Sequence, residues 1–296
     1  MSDSKLQSLI AGVINGDIVP YLGAGALQGS RNLQTDEPIP ADSDSLILAM
    51  NNGRPMAPRL MFEFARAAMD VELKRGRSAV NRFLDTTYGA AVWSRAPLHD
   101  WLATIKPAYV IDINRDTQLQ QSYSDTPHTL IRGIARIAGT DYRFRIHHYD
   151  GKSYSAKEID QNEVDTCLPV LFKPMGSPLP DSTYIASDAD YVDFITELMG
   201  GFAIPSFLKA YRQQKQYLFI GLRMTRDTER MVMSDMTYDA AEPKGWALIK
   251  EPSEKEIRFC NKQKIEIIEA DVDTLLATVG MPPLSAEVVT AMQKTG

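Results

Sequence analysis

Two glycines at alternate positions after a short apolar run are the first residues in this chain with a chemical use. Ile18-Val-Pro-Tyr-Leu22 has the composition of a buried strand, and Gly23-Ala-Gly-Ala26 follows it directly. Glycine tolerates positive φ and lets a ligand approach the backbone, so the amides of such a turn can face a diphosphate. The spacing falls short of the GxGxxG dinucleotide fingerprint, and a tight turn packed against a neighbouring helix is the alternative use of the same glycines.

Three more strand ends carry polar groups. Asp112, Asn114 and Asp116 alternate after Tyr109-Val-Ile111, Lys173-Pro-Met-Gly-Ser177 follows Val170-Leu-Phe172, and Gly221-Leu-Arg223 follows Leu218-Phe-Ile220. Ligands of open α/β sheets bind outside the carboxyl ends of the strands, so four such ends describe one crevice. Other chemistry-bearing residues are weaker candidates. Arg223, Arg226, Asp227, Glu229 and Arg230 crowd the start of a helix and read as a solvated, salt-bridged face. Arg223 alone among them is weighed for phosphate or ribose recognition. His147 and His148 sit in an alternating stretch that reads as surface, and Ser177 has no histidine near it in sequence to activate it. Met224, Met231, Met233 and Met236 read as core and interface filler.

The elements that must position these residues alternate along the chain. Strands are predicted at 18–22, 109–113, 142–149, 167–172, 217–221, 245–249 and 265–268. Helices are predicted at 6–16, 59–74, 77–88, 97–105, 127–138, 190–199, 205–214, 225–236 and 271–279. Residues 28–58 are rich in Asn, Asp, Pro and Ser and read as a loop with a helix near 45–50. Asp150-Gly151 is a hairpin signal. Short apolar strands alternating with helices predict an α/β, Rossmann-like fold: a mainly parallel sheet with helices on both faces. The expected organisation is a single domain over 1–296, with its core at about 1–30, 105–140, 165–180 and 214–285. A helical insertion is expected at about 31–104 and a hairpin insertion at about 141–165.

These motifs together resemble the SIR2-like family. Its pattern of a Gly-Ala-Gly turn, a Thr-Asn-x-Asp segment, a Lys-x-His-Gly-Ser segment, an acidic-Tyr helix start and a Phe-Ile-Gly strand end is matched in order. The matching residues are Gly23-Ala-Gly25, Ile113-Asn-Arg-Asp116, Lys173-Pro-Met-Gly-Ser177, Ser187-Asp-Ala-Asp-Tyr191 and Phe219-Ile-Gly221. The resemblance implies NAD as substrate or ligand. Gly23, Ala24 and Gly25 would hold the diphosphate. Asn114 and Asp116 would take the nicotinamide side, with Gly176 and Ser177 beside it, and Gly221, Leu222 and Arg223 the adenosine side. It also implies the zinc-free bacterial branch, whose active members hydrolyse NAD to nicotinamide and ADP-ribose, often in antiphage defence, and often assemble into homo-oligomers or with partners. The chain departs from the pattern at Met175, where the family places a catalytic histidine. A thioether neither accepts nor donates a proton at neutral pH. Two functions therefore stand open: an attenuated NAD glycohydrolase, or a non-catalytic sensor or assembly subunit that binds NAD or ADP-ribose.

Bulk composition narrows the field. Hydrophobic residues make up 44% of the 296, charged residues 24%, and the net charge is −6, a poor balance for non-specific nucleic-acid binding. Two cysteines, Cys167 and Cys260, exclude a four-cysteine zinc ribbon, so a zinc-bearing sirtuin deacetylase is not expected and no metal site is assigned. The first residues lack a basic and apolar leader, no stretch approaches the ~20 apolar residues of a membrane helix, and a cytoplasmic location is the expectation.

Overall fold

The computed structural model describes residues 2–136 and 141–281. Its strands are β1 Ile18–Leu22, β2 Tyr109–Asp112, β3 His128–Gly133, β4 Phe144–Tyr149, β5 Val170–Lys173, β6 Gly176–Ser177, β7 Thr183–Tyr184, β8 Gln216–Ile220, β9 Gly245–Leu248 and β10 Ile265–Ile268. Its helices are α1 Ser2–Ile14, α2 Ser43–Met50, α3 Phe64–Arg75, α4 Arg77–Leu84, α5 Pro97–Ile105, α6 Gln118–Ser122, α7 Asp188–Gly200, α8 Ser206–Tyr211, α9 Asp227–Met236, α10 Glu254–Gln263 and α11 Val272–Thr278.

Eight strands form one sheet in the order β10-β9-β8-β1-β2-β5-β3-β4, and β6 pairs with β7 separately. Every neighbouring pair in the large sheet is parallel except β3 with β4. The strands are short and apolar on both faces because helices cover both. Val19, Tyr21, Ile111, Phe172 and Phe219 point into one core, which α7 and α9 complete through Phe194 and Val232. Ile18, Leu22, Val110, Leu171 and Ile220, the alternate residues, point into the other, which α1, α5 and α11 complete through Leu9, Trp101 and Leu275. The predicted mainly parallel α/β sheet is the observed one. Between β1 and α5, helices α2, α3 and α4 enclose a third core around Ile47, Phe64 and Leu84. Helix α5 belongs to the sheet's own layer, through Leu98, Trp101 and Leu102.

One element differs in type from the sequence expectation. The predicted helix over 127–138 is strand β3 as far as Gly133, while 137–140 lie outside the described residues. His128–Gly133 is buried throughout and hydrogen-bonded on both sides, parallel to β5 and antiparallel to β4. An apolar run buried on both faces has no periodicity that separates helix from strand. The chosen hairpin signal is also displaced. The antiparallel hairpin is β3–β4, and Asp150-Gly151 turns the chain back for the single bridge Tyr149–Tyr154. Helix α10 was not foreseen, although Ser253 and Glu256 form its capping box.

Candidate functional site

The chain leaves β1 toward β2 on one side and returns to β8 on the other, so the carboxyl ends of β1 and β8 meet at the switch point of the sheet. There the glycine turn and the end of β8 lie backbone on backbone. Gly23 N–H donates to the Ile220 carbonyl at 2.9 Å and Gly25 N–H to the Gly221 carbonyl at 2.8 Å. A Cβ on Gly23 would lie 2.5 Å from Leu222 Cα, and one on Gly25 2.8 Å from Gly221 Cα. Gly221 itself has φ +66°, and a Cβ on it would lie 2.5 Å from Ala26 N. These three glycines are therefore required by the meeting of two strand ends, and two of the three amides of the turn already serve protein carbonyls.

That junction forms the floor of a cleft of about 910 Å³, inside the range of small-molecule sites. Ala24, Gly25, Gly221, Leu222 and Arg223 line it, with Ser30, Ser43 and Thr225 supplying hydroxyls. Arg223 is fixed at the rim by two bonds to Glu256, both 2.8 Å. Burial alone would raise the Glu256 pKa, but the bonds from Arg223 and from Ser253 bring it down to about 2.

A second cavity of about 30 Å³, room for a water or two, opens beside the cleft and shares Ala24, Ala41, Ser43 and Glu229 with it. Asn114 and Met175 both line it, along with Arg115 and Tyr191. Asn114 is held from three directions. Its Nδ2 donates to the Gly23 carbonyl at 2.9 Å and to Asp112 Oδ1 at 2.8 Å, and its N–H donates to the same oxygen at 3.0 Å. Asp112 is anchored in turn by Lys173, 2.5 Å away, with both side chains wholly buried. Two strand ends thus orient the Asn114 amide through one buried ion pair. Arg115 turns away, donating to the Ile185 carbonyl at 2.9 and 2.6 Å and to the Tyr191 hydroxyl at 3.0 Å.

The other expected site residues do not converge. Asp116 lines a third cavity of about 260 Å³, beside Trp93 and the π-helical turn Asp85–Ala90. Its Oδ1 accepts from Gln118 N–H at 2.7 Å and its Oδ2 has no partner. Burial pushes its pKa up, against the pull of Lys173. Gln118 also donates to Ser30 Oγ at 2.8 Å, and Ser30 donates to the Ser94 carbonyl at 2.6 Å, a polar partition between this cavity and the cleft. Gly176 and Ser177 line none of the three cavities; Ser177 Oγ accepts from Gln120 at 2.6 Å. His147 sits on the sheet's edge strand against Arg132 at 3.0 Å, away from the cleft.

Sequence reasoning passed over two positions. Lys173 opens the Lys173-Pro-Met-Gly-Ser177 segment, and its signal in the sequence is a charge at the end of an apolar strand. Glu229 was placed on a solvated helix face, whereas it lines both the cleft and the small cavity. Burial, opposed by Arg226, pushes its pKa up to about 7.

Among the described residues no group of three or more His, Cys, Asp or Glu is arranged to hold a metal, and no helix is long and apolar enough to cross a membrane. None of the curated proteins compared with the chain matches it. Residues 110–268, more than half of the 296, match the family model described as SIR2-like domain. The match runs from β2 to β10 and so takes in Asn114, the Lys173 segment and the end of β8, while the glycine turn lies outside it but against it. Sheet order, switch-point cleft and matched segment agree, and the chain belongs to the SIR2-like family, whose members bind NAD.

Proposed function

We propose that the protein binds NAD with its ADP-ribose half in the switch-point cleft and hydrolyses the bond between nicotinamide and ribose at Asn114. The observation that supports this most is continuity. A cleft of dinucleotide size shares four residues with a small polar cavity in which a positioned amide is fixed. The leaving ring nitrogen is cationic in NAD and departs neutral, so catalysis consists of holding the ribose and stabilising an oxocarbenium-like transition state. Asn114, held at 2.8–3.0 Å by Gly23 and Asp112, is preorganised for that. Ala24 would meet the diphosphate between the two committed glycine amides, and Gly221, Leu222 and Arg223 would meet the adenosine half. Depletion of NAD, in an assembly of several chains, is the setting that the family resemblance implies.

The second function, a non-catalytic sensor of NAD or ADP-ribose, draws support from a specific observation. The cavity at Asn114 is about 30 Å³, so a ribose enters it only after the wall moves, and Met175 in that wall transfers no proton. The two functions separate in one assay. Protein is incubated with NAD and nicotinamide release is followed, with Asn114→Ala as control and ADP-ribose binding measured by calorimetry. Release that disappears in the variant supports the hydrolase; binding without release by either protein supports the sensor and overturns the hydrolase.

A further inference from the structure

Seven side chains around the small cavity decide what proton chemistry it can perform: Asn114, Met175, Ser43, Thr228, Tyr191, Arg115 and Glu229. An amide, a thioether and two aliphatic hydroxyls take up no proton near neutral pH. Burial raises the pKa of the Tyr191 hydroxyl against the pull of Arg115, which donates to it at 3.0 Å, so it stays a neutral phenol. Arg115 is permanently cationic. Glu229 is the remaining group. It stands in the first turn of α9, on the wall common to cavity and cleft.

We propose that Glu229 is the base that takes the proton from the attacking water when NAD is hydrolysed in this pocket. The inference rests on the hydrolase function proposed above and adds to it the residue that activates the nucleophile. The cavity has the volume of one or two waters and lies beside the amide that would hold the ribose. In the step, the water oxygen forms a bond to the ribose C1′ and the C1′–N bond breaks, its electron pair going to the nicotinamide nitrogen. The water proton passes to the Glu229 carboxylate and from there to solvent. Nicotinamide, ADP-ribose and one proton are the products, with no oxidant or second substrate.

The surroundings leave Glu229 available for this. The charged and titratable groups facing it are Arg226, Glu63, Arg115, Asp42, Tyr21 and Tyr191. Arg226 is engaged by Asp44 at 3.1 Å and by the Phe62 carbonyl, and Arg115 by Ile185 and Tyr191. Glu63 accepts from Asp227 N–H at 2.6 Å, and Asp42 caps α2 through Ser45 N–H at 2.9 Å. Burial together with Glu63 and Asp42 outweighs the two arginines and places the Glu229 pKa at about 7, where a base works best. Its carboxylate form, the competent one, fills as pH rises through about 7.

The test compares wild type with Glu229→Gln over a pH series, reading nicotinamide release and ADP-ribose affinity. The expected result is a wild-type rate that climbs through pH about 7. In the variant the rate should fall by roughly 10²–10⁴ and lose that limb, while ADP-ribose binds undiminished. Glu229→Ala, with its smaller side chain, should regain release when formate is added as an external base. Equal rates and identical pH profiles in wild type and Glu229→Gln would overturn the assignment and leave hydrolysis standing. Wild type that binds ADP-ribose but releases no nicotinamide at any pH would refute hydrolysis itself, and Glu229 as its base with it.

Discussion

Replacing Lys173 by Met removes one charge from the interior and little volume. The Lys173–Asp112 pair stands at 2.5 Å with neither side chain exposed. At an effective dielectric near 20 that separation corresponds to about 6–7 kcal/mol of attraction, which the desolvation of two ions at several kcal/mol each roughly cancels. The pair as a whole is therefore close to neutral for stability, but half of it is not. Lys173→Met leaves the Asp112 carboxylate buried beside Asp116, and the loss should be about 3–5 kcal/mol, a large part of the 5–15 kcal/mol typical of a folded protein. Asp112→Asn alone strands the ammonium at a similar cost. The double variant leaves two neutral groups of the original shape and should recover most of the loss. Urea unfolding followed by circular dichroism gives the three differences, provided the slopes agree. Losses that simply add, or a Lys173→Met loss under about 1 kcal/mol, would show that no mutual charge compensation holds these strand ends together. The same cycle, read in nicotinamide release, reports whether the Asn114 amide keeps its orientation when the Asp112 carboxylate is replaced.

Gly221→Ala should lose more stability than Gly16→Ala. Both residues have positive φ, worth roughly 1–2 kcal/mol against alanine, but the new Cβ at 221 meets Ala26 N at 2.5 Å whereas that at 16 meets nothing within 4 Å. Thermal melts compare them, and ADP-ribose affinity should fall only for the first. Glu256, held at a pKa of about 2 in the fold against an ordinary 4.5, contributes stability that is complete above pH 4.5 and lost as pH falls toward 2. Glu256→Gln should flatten the dependence of the urea midpoint on pH in that window. Met175→His should raise nicotinamide release above wild type, since it puts a second proton acceptor in the Asn114 cavity; an unchanged rate would mean that proton transfer does not limit turnover.

Most of the sheet could be read from the sequence because its strands are short apolar runs separated by turn residues. β1 and β10 have the expected bounds, and β2, β8 and β9 differ by one residue. β3 was misjudged because Thr129, Leu130 and Ile131 are buried on both sides, so no face is left to mark a period. A Cβ on Gly133 would lie 1.8 Å from the Pro174 carbonyl, a close approach that only tertiary structure reveals. At the site, spacing located Asn114 and the strand ends that surround it. It could not say that Asn114 and Asp116, two residues apart, face different cavities. Nor could it say that Gly23 and Gly25 serve the end of β8, since hydrogen-bond partners two hundred residues away leave no local signature. Glu229 looked solvated because the helix face that carries it is charged, and only the position of α9 against the cleft shows otherwise.

Each cation that lines the cleft already has an anionic partner: Arg223 with Glu256, Arg226 with Asp44, Lys250 with Asp271. A dinucleotide entering it therefore meets a wall without surplus positive potential. Its recognition depends on fit and on neutral donors, and added electrolyte has little long-range attraction to screen. Affinity should stay nearly level as ionic strength rises, and free polyphosphates, abundant wherever nucleotides are, gain no hold from their charge alone.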